Sequence, residues 1–357
     1  MLFTICYLIK GSIWNKDLEK LFSSRFDEEI FSCDVLSSHG SDRIIIRINS
    51  QNNNSAIGII NKNVKENRAF LEFSKHFAQQ GISVPNIYGI AGDFTSYLME
   101  DLGNLTLYEY LRNINKNNGE KKWLKELIRL YREAIHELLR FQIEAGTTIN
   151  YKYCYQFDKF GKENIEYDLK YFENSFLKKF YTNPLDASKF ESDLNTLKLK
   201  LLKAPANYFL YRDFQSRNIM IKDNKLYFID FQSGRKGALQ YDLASLLFDA
   251  RADIPQETRE LLIDFYTEHA ENSFNIHTEQ FEEYFWYFAV IRILQAMGAY
   301  GFLGLTKGKK QFLESVPYAV NNIKLILENK IPLDSLKYLR QIFSELSEEK
   351  SILLFNG

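Results

Sequence analysis

Apolar residues recur at helical spacing in the first thirty positions. Ile13, Trp14, Leu18, Leu21 and Phe22 share one face of "IWNKDLEKLFSSRF", which predicts an amphipathic helix. The period then shortens to two. Strands are expected over residues 33–36 and 43–49, joined by the small-residue turn "SSHGSD". A further turn at Asn52-Asn53-Asn54 leads into a third strand, "AIGII". Residues 64–80 return to helical spacing and stop before Gly81. Two short strands follow in "VPNIYGI" and "FTSYLMEDLG".

After about residue 102 the pattern changes. "WLKELIRLYREAIHELLRFQIEA" (123–145) is a long amphipathic helix ending at Gly146. Helices are expected near 163–180 and 186–203, and everything beyond Tyr241 reads as helix, with Pro255, Asn275 and Pro332 near the breaks. One strand pair interrupts them, in "YRDFQSRNIM…YFIDFQ" (211–232). These patterns predict an α+β protein with a small sheet-rich lobe over 1–101 and a large helical lobe over 102–357 that carries the hairpin. The linker falls near 100–103. No internal repeat or low-complexity segment interrupts the chain.

Composition narrows the class. The 29 Phe and 22 Tyr raise the aromatic share to 15 %, so the core is expected to use rings where others use Leu and Ala. A net charge of −1 gives no ground for a nucleic-acid or membrane-surface partner. Cys6, Cys33 and Cys154 are far apart and form no CxxC pair, which fits a reducing compartment and a cytoplasmic protein. The start "MLFTICYLIKG" lacks a basic region and a small-residue cleavage site, so it is not read as a signal peptide. No later segment reads as long enough to span a bilayer.

The hairpin is where chemistry gathers. Asp213 and Asn218 bracket "DFQSRN", and Asp230 ends the next strand, "KLYFID". Antiparallel pairing about the turn at 222–225 would bring the three side chains to one end. Phosphoryl transfer is mostly positioning and charge neutralisation. Mg²⁺ prefers hard oxygen ligands and keeps several waters. An Asn carbonyl and an Asp carboxylate can hold Mg²⁺ on ATP phosphates, while a separate Asp accepts a proton from the attacking hydroxyl. A lone Asp at a strand end is ordinarily a turn former; two Asp and an Asn in this order are harder to explain that way.

"YRDFQSRNIM…FIDFQ" resembles the catalytic loop and metal-binding Asp of the aminoglycoside and choline kinase superfamily, which has a protein-kinase-like fold. "YDLASLLFD" (241–249) fits the helix that follows. "MEDLG" and "RILQAMGAYGFLGLTKGKKQF" are similar to the branch of bacterial kinases that phosphorylate the anomeric hydroxyl of N-acetylmuramate and N-acetylglucosamine. The resemblance implies an ATP- and Mg²⁺-dependent small-molecule kinase acting on an amino sugar. Carried over by position, it implies Asp213 as catalytic base, with Asn218 and Asp230 on magnesium. Glu100 to Leu102 would be the hinge whose backbone receives adenine. "SSHGSDR", with Gly40 and Ser41, would be the loop over the phosphates.

The pattern departs from the family at two places. Tyr211 stands where relatives have His. The third strand, "SAIGIIN" (55–61), has Ile and Gly where protein kinases place a phosphate-binding Lys. Arg43 is the candidate replacement, ahead of Arg47, since a guanidinium can fork onto two phosphate oxygens. Glu66 sits where the partner glutamate of that lysine would be. Arg212 is expected to brace the loop against a carboxylate, and Arg217 either to do so or to face the substrate. Asp242 is expected to cap its helix or to anchor the metal loop. His39 and His136 lack metal-ligand company. Three alternatives stay open at this point: a non-catalytic kinase-like binding module, a kinase for choline or an aminoglycoside, and a protein kinase. The last is disfavoured by the short stretch between Asp230 and Tyr241.

Overall fold

The computed structural model describes residues 15–36 and 43–349. Contacts divide the chain into two units. The first holds the described residues up to Tyr110 with Thr148–Gln156 and Arg217–Ser233; the second holds Leu111–Thr147, Phe157–Ser216 and the described residues from Gly234 onward.

In the first unit, helix α1 (Lys16–Phe26) begins at Asn15, whose side chain accepts the Asp17 amide at 2.8 Å. An antiparallel sheet follows, built from β1 (Ser32–Leu36), β2 (Ile44–Asn49), β3 (Ser55–Ile60), β4 (Ile87–Ile90) and β5 (Ser96–Glu100). Its order is β1-β2-β3-β5-β4. Helix α2 (Val64–Gln79) crosses from β3 to β4. Side chains alternate between the two faces. Ile46, Ile48, Ala56 and Leu98 pack on Leu18 and Phe22 of α1. Gly58 belongs to that same face: a Cβ there would lie 2.8 Å from Leu18 Cδ1. On the other face Tyr97 stacks on Phe70 of α2 at 5.4 Å.

Four short strands complete the β structure. β6 (Tyr208–Leu210) pairs with β9 (Arg235–Gly237) in the second unit, and β7 (Ile219–Lys222) pairs with β8 (Lys225–Phe228) in the first. Asp223 and Asn224 close the β7–β8 hairpin with φ of 51° and 59°, the two positive values a tight primed turn requires. Just past β8, Phe231 stacks on Phe70 at 5.0 Å and meets Phe77 edge-on at 5.2 Å.

The remaining chain is mostly helical. α3 (Leu107–Asn118) precedes α4 (Glu120–Leu139), which runs on through a π-helical turn at Arg140–Ala145. α5 (Lys162–Phe172) likewise continues through Glu173–Leu177. Then come α6 (Ala187–Lys203), α7 (Gln240–Leu247), α8 (Gln256–Phe274), α9 (Phe281–Gly301), α10 (Val316–Asn329) and α11 (Lys337–Glu348). Helix α9 is apolar on every side and packs on α5, α7 and α10. The stretch Phe281–Thr306 is long and apolar enough to cross a membrane by length and composition, which corrects the reading that no segment reaches that length. Neighbouring helices bury much of it, as befits a core helix that is apolar all round. Gly301 allows a close approach of backbones: a Cβ there would run into the Ser175 carbonyl oxygen.

Candidate active site

Asp213 follows β6 on a segment anchored through its backbone. The amides of Tyr211 and Arg212 donate to the two carboxylate oxygens of Asp242 at 2.7 and 2.9 Å. Gln142 adds a side-chain donor at 3.3 Å. Asp242 lies in the first turn of α7 and does not cap that helix; it ties down 211–212 instead. Burial pushes its carboxyl up to about 7, against the pull of the three donors. Tyr211 is buried edge-on to Phe141 and Phe214.

Arg212 has φ of +86°, a left-handed backbone that costs a non-glycine residue energy and that surrounding bonds must hold. Its guanidinium forks onto Asp168 of α5 at 2.9 and 2.7 Å, beside the rings of Phe160 and Tyr241. Burial opposes the charge, but Asp168 keeps its pKa above the usual arginine value. Arg235, which bonds Asn164, is held down to about 10 by burial and by Arg212. With 211–212 fixed at backbone and side chain, Asp213 projects with its side chain 34 % exposed, and Arg292 Nη2 stands 3.8 Å from its Oδ1.

The first unit holds Asn218 and Asp230. Asn218 ends a 3₁₀ turn that leads into β7, and its carbonyl accepts the Ile229 amide at 3.0 Å. Ile219 pairs with Phe228, so Asn218 and Asp230 flank the same end of the hairpin. Asp230 also has a positive φ, +71°. Arg43, one residue before β2, donates to Asp230 Oδ1 at 2.6 Å, and Gln232 donates to the same oxygen at 2.8 Å. Among the described residues neither bond falls on Oδ2. Burial would raise the Asp230 carboxyl; Arg43 and Gln232 outweigh it and hold the pKa below the ordinary range. Arg43 Nε lies 3.7 Å from Glu66 Oε1 of α2. Burial works against the Arg43 charge, yet Asp230, Tyr97 and Glu66 raise its pKa. Ile57 and Ile59 of β3 occupy the Tyr97 face, while Gly58 is turned to α1. The cation near Asp230 and Glu66 therefore comes from the entry of β2.

Arg47 is engaged elsewhere: it forks onto Asp101 at 2.6 and 2.9 Å and reaches Asn104 at 2.8 Å. Glu100 is the last residue of β5; its amide donates to Asn86 O at 2.8 Å and its carboxylate accepts Lys222 Nζ at 2.7 Å. Its side chain thus ties β5 to β7. Leu102 is buried. Arg217 lies over the Tyr108 ring at 4.2 Å. Gly40 and Ser41, with the rest of 37–42, lie outside the described residues. Among the described residues no three His, Cys, Asp or Glu side chains cluster as metal ligands. His136 does meet a second histidine, His269, at 2.7 Å. An Asn–Asp pair suits a hard cation that takes its remaining ligands from phosphate and water.

A sheet-rich first part and a mostly helical remainder are the architecture of a kinase-like phosphotransferase. The model of the phosphotransferase enzyme family (APH) matches residues 59–276, and the chain belongs to that family. It is 26 % identical over 251 residues to an N-acetylmuramate/N-acetylglucosamine kinase of Neisseria meningitidis serogroup B, covering 69 % of this chain and 71 % of that protein. Among solved structures it is similar to a Plasmodium vivax ethanolamine kinase (TM-score 0.57, 12 % identity, 93 % and 97 % of the two chains). It is also similar to an amicoumacin kinase in complex with AMP-PNP and Ca²⁺ (TM-score 0.55, 12 % identity, 97 % of each chain). At those identities the structural likeness speaks for the fold, while family membership makes the protein a small-molecule kinase with an alcohol acceptor.

Proposed function

We propose that the protein is an ATP- and Mg²⁺-dependent kinase that transfers the γ-phosphoryl group to the anomeric hydroxyl of an amino sugar in the cytoplasm. The observation that carries this reading is the ion pair of Arg43 with Asp230, 2.6 Å long, with Glu66 alongside at 3.7 Å. In a phosphoryl-transfer site a basic side chain joined to a helix glutamate steadies the donor phosphates. Support for the acceptor comes from the Neisseria relative, and support for an adenine nucleotide from the AMP-PNP of the amicoumacin kinase.

In this reading Asp213 accepts the proton of the acceptor hydroxyl as its oxygen bonds the γ-phosphorus and the bond to the β-phosphate oxygen breaks, releasing ADP. Asn218 and Asp230 would hold Mg²⁺, which when bound neutralises charge on the β- and γ-phosphates. Arg43 faces the phosphates, and the backbone of Glu100 to Leu102 receives the adenine. Gly40 and Ser41 belong to the loop over the phosphates. Arg212 positions Asp213 through Asp168 and does not touch the substrate.

ADP release by the purified protein with Mg·ATP tests the proposal, using N-acetylmuramate, N-acetylglucosamine, galactose, choline and kanamycin as acceptors. Turnover on an amino sugar is expected. Asp213→Asn should lower it by roughly 10²–10⁴, the range of a general base, with Mg·ATP affinity nearly unchanged. No turnover on any acceptor, with no thermal shift from Mg·ATP, would show a binding module instead.

A further inference from the structure

Arg292 lies in the middle of α9 and is 4 % exposed. Its Nε donates to Ser245 Oγ of α7 at 2.9 Å, and its Nη1 to Gln295 Oε1 at 2.9 Å. Both anchors are neutral. Its Nη2 stands 3.8 Å from Asp213 Oδ1, within ion-pair reach but beyond a hydrogen bond. Burying a guanidinium is costly unless its charge is used. Tying Ser245 to Gln295 requires no charge, since a neutral amide could bridge them. What the charge adds is a fixed cation beside the one carboxylate placed to take the acceptor's proton.

We propose that Arg292 selects the acceptor. It donates to an oxygen next to the reactive hydroxyl (a ring oxygen, carbonyl or carboxylate) and repels compounds carrying an ammonium group at that position. The acceptor class is therefore a neutral or anionic hydroxyl compound, not a quaternary or primary amine. The inference rests on the kinase reading with Asp213 as base. Like charges forced together in a desolvated site are strongly disfavoured, and a donor built to bond an oxygen rejects compounds that lack it.

The test measures kcat and KM separately for N-acetylglucosamine, N-acetylmuramate, glucosamine at mildly acidic pH, and choline. The wild type should prefer the two N-acetylated sugars over the two cations by at least about tenfold in kcat/KM. Arg292→Gln should lose most of that preference, chiefly through a higher KM for the sugars, while KM for ATP and the melting temperature hold. Arg292→Lys, which keeps the charge, should keep the order. A folded Arg292→Gln protein with the wild-type ranking would make Arg292 a tie between α7 and α9 only. Wild-type preference for glucosamine or choline would overturn the inference without any variant and leave the kinase reading standing. No turnover on any acceptor would remove both.

Discussion

Arg43 and Gly58 show how much hangs on which face a side chain takes. Gly58 stands in the strand that carries a lysine in protein kinases, but it is turned toward α1, where Leu18 leaves no room for a side chain. The positions facing α2 are Ile57 and Ile59. Arg43 supplies the positive charge from the neighbouring strand, held between Asp230 and Glu66. On the proposed reading, Arg43→Ala should raise KM for Mg·ATP at least about tenfold, with Arg43→Lys recovering part, since a lysine cannot reproduce the fork. Steady-state kinetics at saturating acceptor decide this; an unchanged KM for ATP in Arg43→Ala would take Arg43 out of the nucleotide site. Arg43 stood out in the sequence because it is a cation at the end of an apolar strand. Arg292 did not, because it is one charge inside the apolar run that follows Glu283. Asp168, the partner of Arg212, was equally hidden, since nothing local marks a carboxylate 44 residues upstream as its counterion.

The longer elements were legible because their patterns are strong. Residues 64–80 repeat at helical spacing, and α2 covers Val64–Gln79. The reading over 123–145 met a helix that starts earlier, at Glu120, and loosens into a π-helical turn at Arg140. Strands β6 and β9 have three residues each and exist because they pair with each other, a tertiary fact with no local signal. Helix α9 was read only as part of the helical stretch beyond Tyr241, neither for its apolar length nor for its role in the helical unit. Gly301 is the clearest mark of that role, because the atom facing it is backbone and cannot rotate away. Gly301→Ala should therefore cost about 1–3 kcal/mol of stability, as overpacking does. Chemical denaturation with an unchanged midpoint would show that α9 and the Glu173–Leu177 turn can separate freely.

At the scale of the whole molecule, stability should depend on pH in a way that Asp242 helps to set. Burial raises its folded pKa from the ordinary carboxylate range to about 7. A raised pKa contributes stability that is fully present below the unfolded value and is lost as pH rises through the folded one. The window therefore runs from about pH 4 to about pH 7, and the loss amounts to at most roughly 4 kcal/mol. Asp230 acts in the opposite sense: its lowered pKa contributes above the unfolded value and fades as pH falls. Melting temperatures across this range should fall toward neutral pH, and Asp242→Asn should flatten that fall. A wild-type curve with no slope between pH 4 and 7 would show that the bonds from Tyr211 and Arg212 keep the carboxylate ionised throughout.

The aromatic stack of Phe70, Phe77 and Phe231 has a consequence for the order in which the chain is made. Two of its rings belong to α2 and leave the ribosome early; the third follows β8 and arrives much later. Until Arg217–Ser233 has been synthesised, the first unit lacks part of its own interior. A nascent chain therefore carries an uncovered aromatic face through the synthesis of several helices, and the first unit is completed late although all five strands of its sheet are made first. The same holds for any fragment ending near residue 110: it would present that face to solvent.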